Sequence, residues 1–202
     1  VTRHLFYRNL LDPYAHSYQN GNSRWDLIDV LRLAQALRPE GLEWPCNTEG
    51  HPAFRLEQLS AANGIPHTDA HDALGDVRVT IALAKRLKEA QPRLFDYALG
   101  LRRLDAVQSL IDKARPLIHA SARYPAALGC IAPVLIITPM ADNPKQVICA
   151  DLRQDPEILL DLDAETLAER LFTPGDALPE SVERPGLKQI KLNASPMLAP
   201  LA

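Results

Sequence analysis

At 202 residues the chain has room for one large domain or two small ones, with a real core. Its formal charge of -3 does not exclude a nucleic-acid partner, because the charge that meets a phosphate backbone is local. No apolar run approaches a membrane span and no secretory leader opens the chain, so a soluble, cytoplasmic protein with no membrane partner is expected.

Three cysteines, Cys46, Cys130 and Cys149, are odd in number, widely spaced and without a C-x-x-C pair. They predict reduced thiols rather than a disulfide framework. The first residue is Val1, not Met, which suggests a piece of something longer.

In chain order, residues 1–92 read as helical. "SRWDLIDVLRLAQALRPEG" offers Ser23 as N-cap, then Leu27, Val30, Leu31 and Ala34 at helical spacing, with Pro39 and Gly41 as the stop. "FRLEQLSAANGI" is a shorter amphipathic helix carrying Leu56 and Leu59, closed by Gly64. "DAHDALGDVRVTIALAKRLKEAQP" is the third, with Ala73, Val77, Ile81, Ala84 and Leu87 predicted on one apolar face and a basic last turn before Pro92. Beyond residue 93 one short helix, "RLFDYALGLRRLDAVQSLID", precedes apolar runs broken by Pro and Gly. "PLIHAS", "CIAPVLIITPM", "KQVICADL" and "LKQIKLN" read as strands, with one helix, "DAETLAERLF", among them. Most of the 17 prolines lie in this half or at its borders, as turn-rich β-structure requires. The boundary is placed between residues 92 and 93.

The residues that carry chemistry sit in "GIPHTDAHDALGDV". His71 falls in the first turn of the third helix if that helix starts near residues 69–72. Asp76 lies five residues on, about 140° around the axis. Both can border a cleft across the helix N-terminus, where a phosphate would meet free N–H groups and the helix dipole. A carboxylate is a hard ligand for Mg²⁺ or Mn²⁺, and an imidazole can take the proton of an attacking water. Two-metal phosphodiester cleavage needs about three or four carboxylates around two ions roughly 4 Å apart, plus a base, so the pair is an incomplete site. Taken alone, the spacing is also that of a surface histidine on a helix cap.

The surrounding residues say more. Leu56, Leu59, Gly64, Ile65, His71, Ala73, Asp76 and Val77 form "L-x-x-L-x-x-x-x-G-I" followed by "H-x-A-x-x-D-V". This resembles the last motif of the DEDD exonucleases of the His subtype. With "FYRNLLDPYAHSYQNGNSRWDLIDVLRLAQALRPEG", "QPRLFDYALGLR", "VICADL" and "LNASP", the likeness to the bacterial exodeoxyribonuclease I family covers nearly the whole chain. It implies processive, Mg²⁺-dependent 3′-to-5′ degradation of single-stranded DNA to mononucleotides, in DNA repair. His71 matches the family's base and Asp76 its last metal-binding aspartate. The fold implied is α+β. Residues 1–92 would be the later, helical part of a ribonuclease-H-like exonuclease domain without its central sheet. Residues 93–202 would be a small Src-homology-3-like β-barrel with an inserted helix, itself incomplete. The family's Asp-x-Glu strand and second aspartate have no counterpart here. "DAET" at Asp163 is a decoy, since it follows the His motif and Asp163 is explained as an N-cap. The chain is therefore expected to be an internal piece, inactive alone.

A single-strand reader needs cations interleaved with rings. Arg3, Tyr7, Arg8, Tyr14, His16, Tyr18, Arg24, Trp25, Arg32, Arg38 and Arg55 supply them, although Tyr7 and Trp25 also read as core. From the resemblance, Arg3, Tyr14, Tyr18 and Arg32 are DNA-contact positions and Arg55 lies near the terminal nucleotide. Arg38 and Tyr97 fall where the family docks the acidic, Phe-ended tail of single-stranded-DNA-binding protein, and a cation beside an aromatic wall suits such a tail. Arg102, Arg103, Lys113, Arg115, His119 and Arg123 are a basic run that either extends the phosphate track or is a solvated face. Where the family has an aromatic-rich loop, this chain has "YPAALGC", which puts a stacking contact from that loop in question. A monomer is expected.

Other readings remain. A His-Asp phosphohydrolase built on His67, His71 and Asp72 lacks its further helical histidines, and a zinc site from His67 and His71 lacks a third ligand. A non-catalytic module binding single-stranded DNA or protein is the stronger alternative.

Overall fold

The computed structural model describes residues 2–67, 73–113, 116–174, 176–179 and 181–201. After α1 (Thr2–Arg8), the helix α2 (Leu27–Leu37) turns Leu27, Val30, Leu31, Leu33 and Ala34 inward. Its cap is Asp26 rather than the expected Ser23. The Asp26 carboxylate accepts from the backbone N–H of Ile28 at 3.1 Å, whereas Ser23 lies too far upstream to reach the first turn. Gly41 follows with φ +90°, and a Cβ there would stand 2.5 Å from that of Ala90, so the turn after α2 needs glycine on both counts. Helix α3 (Leu56–Ala62) closes as predicted around Gly64, at φ +64°. Ile65 N–H bonds back to Ser60 C=O at 2.9 Å and Gly64 N–H to Ala61 C=O at 3.1 Å, so two terminal carbonyls are satisfied.

Helix α4 (Ala73–Ala90) is present, but its buried face is Val79, Leu83 and Leu87. Val77 and Ile81, expected inside, are about half exposed. The sequence offers two apolar stripes at helical spacing, and the neighbours α3 and α5 (Pro92–Gly100) cover the other one. The single helix expected over residues 93–112 is two, α5 and α6 (Leu104–Lys113). The break after Gly100 lets both Leu101 and Val107 enter the core.

The β-rich part is a five-stranded antiparallel sheet in the order β4-β3-β2-β1-β5. Its strands are β1 (Leu117–Ala120), β2 (Ile131–Pro139), β3 (Gln146–Asp151), β4 (Leu187–Lys191) and β5 (Met197–Pro200). Four of them are the predicted runs. The β2–β3 register slips between Ile136 and Thr138, leaving Ile137 as an extra, half-exposed residue. Strand β5 was not predicted: it is four residues that follow Pro196 and end on Pro200, too short to show a period, and it exists because β1 offers it a ladder. Two helices lie between β3 and β4, namely α7 (Glu157–Asp161), also unpredicted, and α8 (Ala164–Phe172). The N-cap of α8 is Asp163, which accepts from Thr166 N–H at 2.7 Å, as read from sequence.

Helix α2 packs on β1, β2 and β5, so helices and sheet share one core, and the α+β expectation holds. Polar ties cross the same seam. Tyr97 Oη donates to Leu198 C=O at 2.7 Å, and Ser195 Oγ to Arg24 C=O at 2.7 Å. Trp25 Nε1 donates to Ala98 C=O at 3.1 Å and its ring meets Phe95 edge-on at 5.3 Å, so Trp25 is core. Tyr7, by contrast, is 71% exposed: α1 buries none of its residues, so Tyr7 has no core to enter.

Candidate nucleic-acid interface

Where α2 meets the sheet, a cavity of about 910 Å³ opens. Helix α2 contributes Arg32, and Arg55 stands at the N-cap of α3 beside Phe54. The β-rich part contributes Tyr124 and Cys130. The Arg32 guanidinium lies 2.5 Å from Asp29 and 5.6 Å above the Phe54 ring. Its Nε is buried and has no hydrogen-bond partner among the described residues. Arg55 is exposed. The Cys130 thiol is pushed up by burial, with Arg32 pulling the other way. Residues 23 positions apart in sequence, Arg32 and Arg55, thus meet in one cavity.

Tyr124 is buried and braced by three neighbours. Its hydroxyl lies 3.0 Å from His119 Nδ1, the Arg153 guanidinium is 5.1 Å from the ring centroid and Lys188 Nζ 5.3 Å. Arg153 is itself held by Asp151. Burial pushes the phenol well above its usual range.

A second group lies toward the start of the chain. Asp12 accepts from Tyr14 N–H at 2.8 Å, Ala15 N–H at 3.2 Å and Tyr18 Oη at 3.0 Å, and these bonds hold its carboxyl below the usual range, the Tyr14 bond most of all. The turn so formed displays the rings of Tyr14 and Tyr18, 50% and 58% exposed, with the Arg3 guanidinium 4.8 Å over Tyr14. None of Arg3, Tyr14 and Tyr18 lines the cavity of Arg32 and Arg55.

Asp76 sits in the first turn of α4, and Thr80 donates to its backbone carbonyl. Its Oδ1 lies 2.9 Å from Nε2 of His67, whose side chain is 7% exposed. The Asp76 side chain is 42% exposed, so the carboxylate is fixed on one side and open on the other. His71 lies outside the described residues. A half-open, pre-oriented carboxylate fits the role of one ligand to a divalent ion. Among the described residues no group of three or more His, Cys, Asp or Glu gathers to hold a metal by itself. His67 is a partner that the sequence reading did not assign to Asp76. Nine residues apart and outside the helix, the two show no periodicity that would have linked them.

Arg38 and Tyr97 line one groove of about 800 Å³, with Leu33, Leu37, Leu94 and Ile118 as its apolar walls. Burial pushes the Tyr97 phenol up to about 12, which keeps it a donor to Leu198. The basic run does not act as a unit: Arg103 is taken by Asp105, and Arg102 reaches Gly21 C=O at 3.4 Å. Arg115 lies outside the described residues.

Helices seated on a small antiparallel sheet, with Arg32, Arg55 and Glu57 lining one cavity, define an α+β protein. The exonuclease I SH3-like domain matches residues 102–202, and the chain belongs to that family. Exodeoxyribonuclease I of Escherichia coli (strain K12) is 48% identical over 201 residues, 98% of this chain and 42% of the relative. The crystal structure of E. coli Exonuclease I in complex with a dA16 oligonucleotide aligns with a TM-score of 0.92 at 46% identity, covering 99% of this chain and 43% of that one. An ExoI/SSB-Ct complex aligns with a TM-score of 0.88 at 45% identity, covering 98% and 43%. The chain therefore spans under half the length of the relatives it matches. Among the described residues no helix is long and apolar enough to cross a membrane.

Proposed function

We propose that this chain is the strand-holding part of a Mg²⁺-dependent 3′-to-5′ exonuclease that degrades single-stranded DNA to mononucleotides in DNA repair. The observation that carries the reading is the single cavity shared by Arg32, Arg55 and Tyr124, in a chain 48% identical to an exodeoxyribonuclease I. Two guanidiniums at the seam suit adjacent phosphates, and the exposed Tyr14 and Tyr18 rings beside Arg3 suit stacked bases. Arg55 would meet the terminal nucleotide, and Arg3, Tyr14, Tyr18 and Arg32 the strand behind it.

Asp76 would be one ligand of the metal and His71 the base that takes a proton from water. Bound Mg²⁺ or Mn²⁺ would supply charge stabilisation at the scissile phosphate and a more acidic water. His67 holds Asp76 Oδ1 in place while the Asp76 side chain stays partly open to solvent. Since the two-metal reaction needs more carboxylates than Asp76 provides, this chain alone would bind but not cut. In this reading residues 1–92 belong to the exonuclease part and 93–202 to the β-rich part. The Arg38–Tyr97 groove would seat the acidic tail of single-stranded-DNA-binding protein, and the protein would act as a cytoplasmic monomer.

The test is Mg²⁺-dependent release of nucleotides from a 3′-labelled oligonucleotide by a protein carrying this chain, with loss expected on His71→Ala. Strand binding retained without any metal-dependent release would instead support a non-catalytic binding module.

A further inference from the structure

A smaller pocket of about 160 Å³ lies where β1 and β4 face the N-terminal end of α2. His119, Ser121, Arg123, Lys191 and Asp29 are its polar lining, with Gln189 and Ser195. The volume is below the roughly 300 Å³ at which small-molecule sites begin, so it suits one compact group and not a base or a nucleoside.

The cations in this pocket lack an acidic partner, although Arg123 Nη1 donates to Gln189 C=O at 3.3 Å. Arg123 and Lys191 have no carboxylate partner among the described residues, and both are exposed. Ser121 Oγ accepts from Arg123 N–H at 3.3 Å, which leaves the hydroxyl proton to donate. Asp29, the one anion here, is neutralised by Arg32 at 2.5 Å. His119 is 8% exposed, and its Nδ1 is taken by the Tyr124 hydroxyl. Burial, then Arg123 and Lys188, push the imidazole down to about 4, while Tyr124 keeps its proton. At neutral pH the ring is therefore uncharged, and its Nε2 has no partner among the described residues. A neutral imidazole, a hydroxyl and two cations without a carboxylate partner among the described residues surround a small void, a set suited to a tetrahedral oxyanion.

We infer that the pocket of His119, Ser121, Arg123 and Lys191 binds a phosphate group. The pocket shares walls with the first cavity, because the Asp29–Arg32 and His119–Tyr124 pairs each have one member in either space. This deepens the strand-binding reading and rests on it for the source of the phosphate: a backbone diester one step along the strand, with a free phosphomonoester as the other source.

The experiment follows the His119 ring signal by NMR during titration of this chain with oligothymidylate and, separately, with inorganic phosphate, while fluorescence anisotropy reports strand binding. We expect His119 to shift with the oligonucleotide. The Arg123→Gln/Lys191→Gln double variant should abolish the shift and lower the salt slope of binding by about 0.7, the single-strand value for one phosphate. Both replaced side chains are exposed, so the fold should tolerate the change. A bound oligonucleotide that leaves His119 and the slope unmoved overturns this inference and leaves the strand-binding reading standing. An oligonucleotide that fails to bind, while inorganic phosphate still shifts His119, overturns the strand-binding reading and keeps the pocket as a phosphomonoester site. No binding and no shift with either probe removes both.

Discussion

His119→Gln tests the electrostatics of the seam most directly. The imidazole is buried and neutral in the fold, its pKa moved from 6.5 to about 4 by burial first and then by Arg123 and Lys188. Between those values the unfolded chain binds a proton that the folded chain refuses. The stability owed to the neutral ring is therefore complete above pH 6.5 and lost as pH falls toward 4. The slope is about 1.4 kcal/mol per pH unit, so a drop from pH 7.5 to pH 5 should cost about 2 kcal/mol through this residue alone. Glutamine keeps an acceptor for the Tyr124 hydroxyl but cannot titrate. Urea unfolding of both proteins at the two pH values isolates the effect, because every other titrating group cancels in the difference of differences. The variant should lose about 2 kcal/mol less than the parent on acidification. If the two proteins respond to pH within about 0.5 kcal/mol of each other, His119 is not held neutral against protonation in the fold and the argument fails.

Leu33→Ala removes a side chain 1% exposed on the helix that seats on the sheet, and should cost about 2–5 kcal/mol by urea unfolding. A loss under about 1 kcal/mol would mean that α2 does not carry the shared core. Gly41→Ala combines a φ of +90° with a Cβ 2.5 Å from Ala90, so the midpoint of denaturation should fall by about 1–3 kcal/mol equivalent, whereas alanine at an open, ordinary position would be neutral or better. His67→Ala frees the Asp76 carboxylate and should raise the Mg²⁺ concentration for half-maximal cleavage, in a protein carrying this chain, by about 10–100-fold. An unchanged metal requirement would reduce His67 to a structural contact.

Local chemistry explains which elements could be read in advance. Asp163 caps α8 because a carboxylate before "AETLAERLF" can satisfy a first-turn N–H whatever surrounds it. Gly64 ends α3 for an equally local reason, its positive φ. The misread faces have a different origin. Val77 and Ile81 lie on a stripe as apolar as the buried one, and only the positions of α3 and α5 choose between the two. Strand β5 needs the open edge of β1, which no window of residues 197–200 contains. "YPAALGC" gave no hint that Tyr124 lies buried against His119, Arg153 and Lys188, which come from separate strands and turns.

The amino-acid order by itself determined the helical and β-rich texture, most caps and turns, and, through its resemblance to a family, the residues proposed to meet DNA and metal. These rest on periodicity and short-range bonds, which span a few residues. The tertiary structure alone decided that Arg32 shares a cavity with Arg55, that Asp76 leans on His67, and that His119 is buried in a pocket with Arg123 and Lys191. Such pairings depend on how α2 settles against the sheet, and burial far from a residue in sequence sets the charge and exposure that its neighbours in the chain do not.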